Sequence, residues 1–514
     1  MFKRNNSLLI FLFLICLLSR ALTSIYYIED IDSLRFALSI KDYDITKLQP
    51  HFPGYIVFCF LIKTLYLFVG NMGLSFSIVG GCSIFFIIYY LLRIFNTSLK
   101  SYEGRYIALI IFLNPLFWLM SNRYMPDLMG LAISVSAIYY LIYAKIQGNH
   151  LEKGFFISGL LAGVRLSYLP LIIFPLMKIF VLSNRKQSLT KSFLIGVFIW
   201  LVPMVLLTGA SDLIMMAKKQ TSGHFMDFGG TILTEQGLFD RFILLIKSVW
   251  ADGFGGYWSS RGVTSIFLST ILLIQFIISL KDVSKKWMSE NKIKPIIICM
   301  GIYFVWILLF QNVVYKSRHV LPIILFVCIL LIEGQEKYRG KLFSGIVYTY
   351  FAILLFHNAN LINQHVNFTA VKKLKDYISA DNGFDTIISI PLMNFYFKSH
   401  QIKADFMDVD NNQDIKKVLF DSSNKRKVLM VGDYRHLFNG KKSSFIRDSI
   451  FYHNPYMNQM WSKITTFQFQ RAINSYSKEP LLAILPGVVL SELWQIMGLV
   501  ENTLFLISAL VSYI

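Results

Sequence analysis

"EDIDSLRFALSIKDYDITKLQPHFPGY", residues 29–55, lies between two strongly apolar runs. Three carboxylates, Glu29, Asp30 and Asp32, open it, and Pro50, His51, Pro53, Gly54 and Tyr55 close it before the chain turns apolar again. Such a segment reads as an outer loop between membrane helices, and the rest of the chain agrees. Of 514 residues, 55% are apolar and 16% aromatic, with a mean hydropathy of +0.54. Several runs exceed the roughly 18 apolar residues that mark a transmembrane helix. The expected fold is a polytopic α-helical membrane protein with about 11–13 transmembrane helices, each of roughly 20 residues.

The formal charge of +20 would suggest nucleic acid in a soluble chain. Here it follows the positive-inside rule, with Lys and Arg collecting in cytoplasmic loops. No interleaved aromatic and basic pattern points to a nucleic-acid partner. The five cysteines, Cys16, Cys59, Cys82, Cys299 and Cys328, lie in apolar segments without CxxC spacing. They are core residues rather than a disulfide framework or a zinc site.

The basic head and long apolar run of residues 1–28 read as a retained first helix, about 7–28, with a cytoplasmic N-terminus rather than a cleaved signal. That delivers residues 29–52 to the outer face. Two apolar runs, 53–70 and 73–95, precede the basic "RIFNTSLKSYEGR". An even number of runs cannot carry the chain from outside to inside, so 53–70 is expected to lie at the interface or re-enter. Helices follow at 106–122 and 127–144. Residues 154–182 form a hairpin of two short helices broken near Pro170, which sets Arg165 near its outer apex. A helix at 191–209 leads to a long outer loop, 210–261. Further helices are expected at 262–280, 295–314, 320–333 and 341–356.

Residues 357–470 change character. Short apolar runs, "TIISIPLM" and "KVLMVGDY", alternate with amphipathic "AVKKLKDYISA" and "QDIKKVLF". They read as a small extracytoplasmic α/β domain. The chain thus divides into a membrane domain, 1–356, an α/β domain, 357–470, and a tail, 471–514, ending in an apolar helix.

Three constellations could carry chemistry. Three acids within four positions raise one another's pKa values, so Glu29, Asp30 and Asp32 suit a metal, a cationic partner or a general base as well as a solvated helix end. "QPHFPGY" constrains its backbone and presents His51 and Tyr55 at the membrane surface. Basic residues Arg123, Arg165, Arg261 and Arg318 fall on the outer side. Arg165 interrupts an apolar hairpin, where a charge is costly. It suits a phosphate, or it snorkels to the interface or pairs with Asp127. No HExxH or HxxxH appears, and a divalent metal on His51 or His224 with an upstream carboxylate stays open. No Walker A, GxSxG or Rossmann pattern points to nucleotide-driven or serine-hydrolase chemistry.

Residues 29–55 resemble the first outer loop of the GT-C superfamily of integral-membrane glycosyltransferases, nearest to relatives of protein O-mannosyltransferases and lipid A aminoarabinose transferases. The matching features are Asp32, the Phe36-Ala37 pair and "PHFPGY", in which Phe52 replaces the usual second proline. "SNRYMPDLMG" with Asp127, "GLLAGVRLSYLP" with Arg165 and "YKSRHVLP" with Arg318 follow in the family's order, so the resemblance covers about residues 1–360. It implies a polyprenyl-phosphate-linked sugar donor entering from the bilayer and inversion at the anomeric carbon. Asp32 would be the general base, with Asp30 or Glu29 as the rival acid. His51, Tyr55, Asp127, Arg165 and Arg318 would bind substrate, Arg165 holding the lipid phosphate. The acceptor would be a glycan, lipid or protein hydroxyl, and the expected location is a bacterial inner membrane with the active site facing the periplasm or exterior. No metal ligands are assigned. The tail resembles a fragment of a FtsX/MacB-type ABC permease. A transporter or exporter subunit, which would show internal repeats and helices broken at mid-membrane, and a non-catalytic scaffold are the rival readings.

Overall fold

A computed structural model describes residues 6–469 except 144–148, 227–229, 235–236, 260, 290–292, 313–315, 336–340, 368, 381–382, 410, 421–425 and 454–461. The permease-like tail lies outside the described residues. Those residues form two compact units. One is helical and comprises 6–26 and 35–362; the other comprises 27–34 and 363–469.

In the helical unit, α1 (Asn6–Leu22) buries Arg20 completely. After α2 (Ile31–Lys41), the run expected at the interface is α3 (Ile56–Val69), only 14 residues long. At 1.5 Å per residue it extends about 21 Å, short of a hydrocarbon core of roughly 30 Å. The next helix, α4 (Met72–Ile94), is capped by Asn71, whose side chain accepts from the Leu74 amide.

The expected single helix at 106–122 is two, α5 (Tyr102–Phe112) and α6 (Pro115–Asn122), bent by 54°. Pro115 supplies no N–H to continue the ladder and instead starts α6, while the Asn114 side chain caps the new helix at the Phe117 amide. Arg20 stabilises this break. Its Nη2 donates to the Phe112 carbonyl at 2.8 Å, one of the oxygens orphaned at the end of α5. Its guanidinium carbon lies 3.8 Å from the Trp118 ring centroid on α6.

Next comes α7 (Asp127–Ile138), followed by a π-helical turn at 139–143. The expected hairpin is α8 (His150–Arg165), a 3₁₀ segment at 166–171 containing Pro170, and α9 (Ile173–Leu182). Arg165 ends α8, at the break itself. The 23-residue α10 (Lys186–Thr208) is apolar on every side, with only 17% of its apolar window buried, as a lipid-facing helix should be.

Residues 210–261, expected as a loop, contain α11 (Ala210–Met226), α12 (Leu238–Lys247) and a π-helical turn at 248–253. The Ala, Leu, Met and Lys residues of α11 are strong helix formers, and its scattered charges mask that in a hydropathy reading. Exposed Leu238, Phe239, Phe242 and Ile246 line α12, while Arg241 is buried and donates to the Gly230, Leu308 and Gln311 carbonyls. The unit closes with α13 (Val263–Ser289), α14 (Ile293–Phe310), α15 (Leu321–Gln335) and α16 (Lys341–Asn367). The last of these helices is longer than the expected 341–356, since α16 continues through the polar "HNANLINQHVN" to Asn367.

Among the described residues, six helices are long and apolar enough to cross a membrane, or seven if the bent α5–α6 pair is one span; five shorter apolar helices have 10–17 residues. Breaks at Pro115 and around Pro170 are one reason fewer full-length spans appear than the apolar runs suggested.

In the other unit, α17 (Ala370–Ala380), α18 (Pro391–Ser399) and α19 (Asn412–Phe420) accompany a five-stranded mixed sheet. Its strands are β1 (Thr386–Ser389), β2 (Asp405–Asp408), β3 (Val428–Val431), β4 (Phe445–Tyr452) and β5 (Lys463–Phe469), in the order β2-β1-β3-β5-β4. Strand β1 runs parallel to β2 and β3, and β5 runs antiparallel to β3 and β4. Every residue of β1 and β3 is buried, which explains their continuous apolar runs. "TIISIPLM" is a strand only to Ser389, because Pro391 starts α18. Ile388, Met430, Ile415, Leu419 and Phe467 form the core.

Candidate active site

Glu29, Asp30 and Asp32 belong to the unit formed by 27–34 and 363–469, and all are buried, at 3–4% exposure. Their roles separate. Asp30 caps α2, its Oδ1 accepting from the Ser33 amide at 2.7 Å. Glu29 meets His365, Oε1 to Nε2 at 2.7 Å, with both side chains out of solvent. Asp32 lies in the first turn of α2, where the positive end of the helix dipole favours a carboxylate. The solvated-helix-end reading is therefore corrected. Sequence reasoning missed His365, which stands 336 residues from Glu29 with no spacing motif to mark it.

In the helical unit, residues 42–55 form a pinned turn. Asp44 and Gln49 exchange backbone hydrogen bonds at 2.7 and 2.8 Å. The Asp44 carboxylate accepts from the Thr46 hydroxyl and amide, and these bonds hold it below the usual carboxylate range. Tyr43 donates to the Gly54 carbonyl at 2.8 Å. Gly54 has φ +86°, and a Cβ there would stand 2.7 Å from the Tyr43 hydroxyl, so only glycine fits.

This turn presents His51 and Tyr55 to Arg165. The Tyr55 hydroxyl lies 3.1 Å from His51 Nε2 and accepts from Arg165 Nη1 at 3.3 Å. Phe36 packs edge-on against both rings, which gives a packing reason for the aromatic of the Phe36-Ala37 pair. Arg165 Nη2 is 2.9 Å from Asp127 Oδ1. Gly130, one turn along α7, lets the two helices approach; a Cβ there would be 2.6 Å from Arg165 Cβ. Of the readings open for Arg165, the pairing with Asp127 is present.

A second guanidinium, Arg318, is buried in the same unit beside the buried His319 ring, and Lys316 two residues before it is partly buried. Arg318 is 6% exposed, with Nη1 at 2.8 Å from Met125 Sδ. Arg123 is also buried. Arg261 stands apart, 2.6 Å from Asp252, whose carboxyl is pushed up to about 6 by burial. His224 Nε2 faces the Phe310 carbonyl at 2.7 Å. Among the described residues, no group of three or more His, Cys, Asp or Glu side chains is placed to hold a metal.

No family model matches the sequence, and no curated protein matches it. The structure is similar to that of ArnT from Cupriavidus metallidurans bound to undecaprenyl phosphate, with a TM-score of 0.53 at 8% identity, covering 91% of this chain and 98% of that one. It also matches the apo state of the same protein, with a TM-score of 0.47 at 10% identity, covering 88% and 96%. The first likeness shows the fold: a polytopic α-helical membrane architecture like that of the ArnT structure, with a small sheet-containing unit.

Proposed function

We propose that the chain is a membrane glycosyltransferase that moves a sugar from a polyprenyl-phosphate carrier to an acceptor hydroxyl. The observation that carries this reading is the pair of buried guanidinium groups in the helical unit, Arg165 and Arg318, at 5% and 6% exposure, with the partly buried Lys316 close in the chain to Arg318. A lipid phosphate has the charge to match it. A fold shared with a protein that binds undecaprenyl phosphate adds support.

Asp32 takes the proton of the acceptor hydroxyl as its oxygen attacks the anomeric carbon. The bond from that carbon to the carrier phosphate breaks, its electron pair leaves with the phosphate, and the configuration inverts. Arg165, with Arg318, stabilises the charge that develops on the leaving phosphate. Asp127 holds the Arg165 guanidinium in place, and Tyr55 and His51 orient it from the turn. The proposed site faces the periplasmic side of a bacterial inner membrane.

The test is transfer in membranes carrying Asp32→Asn, Asp30→Asn and Glu29→Gln, read as glycan product by mass spectrometry at matched protein levels. The expected result is loss of product with Asp32→Asn. Full product from all three variants would overturn the assignment.

A further inference from the structure

We propose that His365 is a positioning residue that fixes the acid-bearing loop, residues 27–34, and thereby sets the orientation of Asp32. This rests on the reading of Asp32 as the general base.

The loop is tied at two points ahead of α2. Tyr27 donates its hydroxyl to the His365 carbonyl, and the two rings meet edge-on with centroids 6.3 Å apart. Two residues on, Glu29 closes its 2.7 Å contact with His365 Nε2. One residue of α16 thus holds the loop through its backbone oxygen, ring face and ring nitrogen. Asp30 follows at once and caps α2, so the direction in which α2 starts depends on where Glu29 is held. Asp32 is three residues beyond Glu29, in the first turn of that helix. Glu29 and His365 are 3% and 1% exposed, so water is a poor substitute for either partner. Glu29, engaged in this contact, acts through Asp32 rather than on substrate.

The experiment uses the full chain in detergent or nanodiscs with His365→Ala, His365→Gln and the exchange Glu29→His with His365→Glu. A base displaced by about 1 Å can lose on the order of 100-fold in rate. His365→Ala is therefore expected to lower kcat about 10- to 100-fold with donor KM changed less than about threefold. Amide exchange should quicken at Ser33 and Leu34 while the sheet amides of β1 and β3 keep their protection. His365→Gln, which keeps an N–H donor at the ring-nitrogen position, should recover most of the rate and the slow exchange.

Unchanged kcat and unchanged exchange in His365→Ala would overturn the proposal. So would faster exchange spread evenly over the sheet, since that is general destabilisation. Amide exchange needs no substrate. If the wild-type chain transfers no sugar, the glycosyltransferase reading fails, and Ser33 exchange still decides whether His365 fixes the loop. Should His365→Ala not fold, His365→Gln beside Glu29→Gln provides the same comparison.

Discussion

Arg165 and Asp127 close a 2.9 Å ion pair at a helix break, with side-chain exposures of 6% and 0%. One partner ends α8 and the other begins α7. The pair therefore fixes two helix termini and leaves the guanidinium aimed by three groups: Asp127, Tyr55 and the adjoining Tyr168 ring, 5.7 Å from its carbon.

Breaking this pair from either side strands a charge in the interior. Arg165→Met or Asp127→Asn alone should cost about 3–5 kcal/mol, and the double variant Arg165→Met/Asp127→Leu markedly less than their sum. Thermal unfolding in detergent measures the cycle. Additive losses would show that the two side chains are not coupled.

Capping and proton transfer are separable at the acidic loop. Serine caps a helix nearly as well as aspartate. Asp30→Ser should retain most of the transferase activity, and Asp30→Ala should lose about 1 kcal/mol of stability. Asp32→Ser should be inactive while folded. An inactive, well-folded Asp30→Ser protein would move the base assignment to Asp30.

The turn at residues 42–55 should tolerate no side chain at position 54. Gly54→Ala combines a left-handed backbone with a 2.7 Å clash on the Tyr43 hydroxyl and should cost about 1–3 kcal/mol. Tyr55→Phe removes the hydroxyl between His51 and Arg165 and should cost about 1–2 kcal/mol. Both effects should appear first as faster amide exchange across residues 43–55.

Asp252 gives a pH signature. Its carboxyl is pushed up to about 6 in the folded protein from an ordinary value of 3.8. The folded state therefore holds the proton to higher pH than the unfolded chain. Its contribution to stability is fully present below about pH 4 and is lost as pH rises through about 6. Asp252→Asn should flatten this limb of a plot of melting temperature against pH. A limb of equal slope in the variant would assign it to other groups.

Fold class and the α/β domain were legible because hydropathy and strand-length runs report burial directly. Helix breaks were legible where proline announced one inside an apolar run, as at Pro170. Asn114-Pro115 carried the same kind of signal, outweighed by the hydropathy of the long run on either side. Helices α11 and α12 were illegible for the opposite reason, since polar residues on a partly buried helix look like loop. At the site, Asp32, Asp127 and Arg165 were visible as charges beside or within apolar runs. His365 and Arg20 were not. Each owes its place to a partner distant in the chain, Glu29 for one and the Phe112 carbonyl for the other, and a single sequence carries no record of such pairings.

Because residues 27–34 are assembled with 363–469 rather than with the helices flanking them in the chain, the C-terminal unit is not a detachable appendage. Deleting everything after α16 would also dismantle the surroundings of a segment near the N-terminus. A working chimera would have to exchange both pieces together, treating as one module two stretches of gene separated by more than three hundred codons.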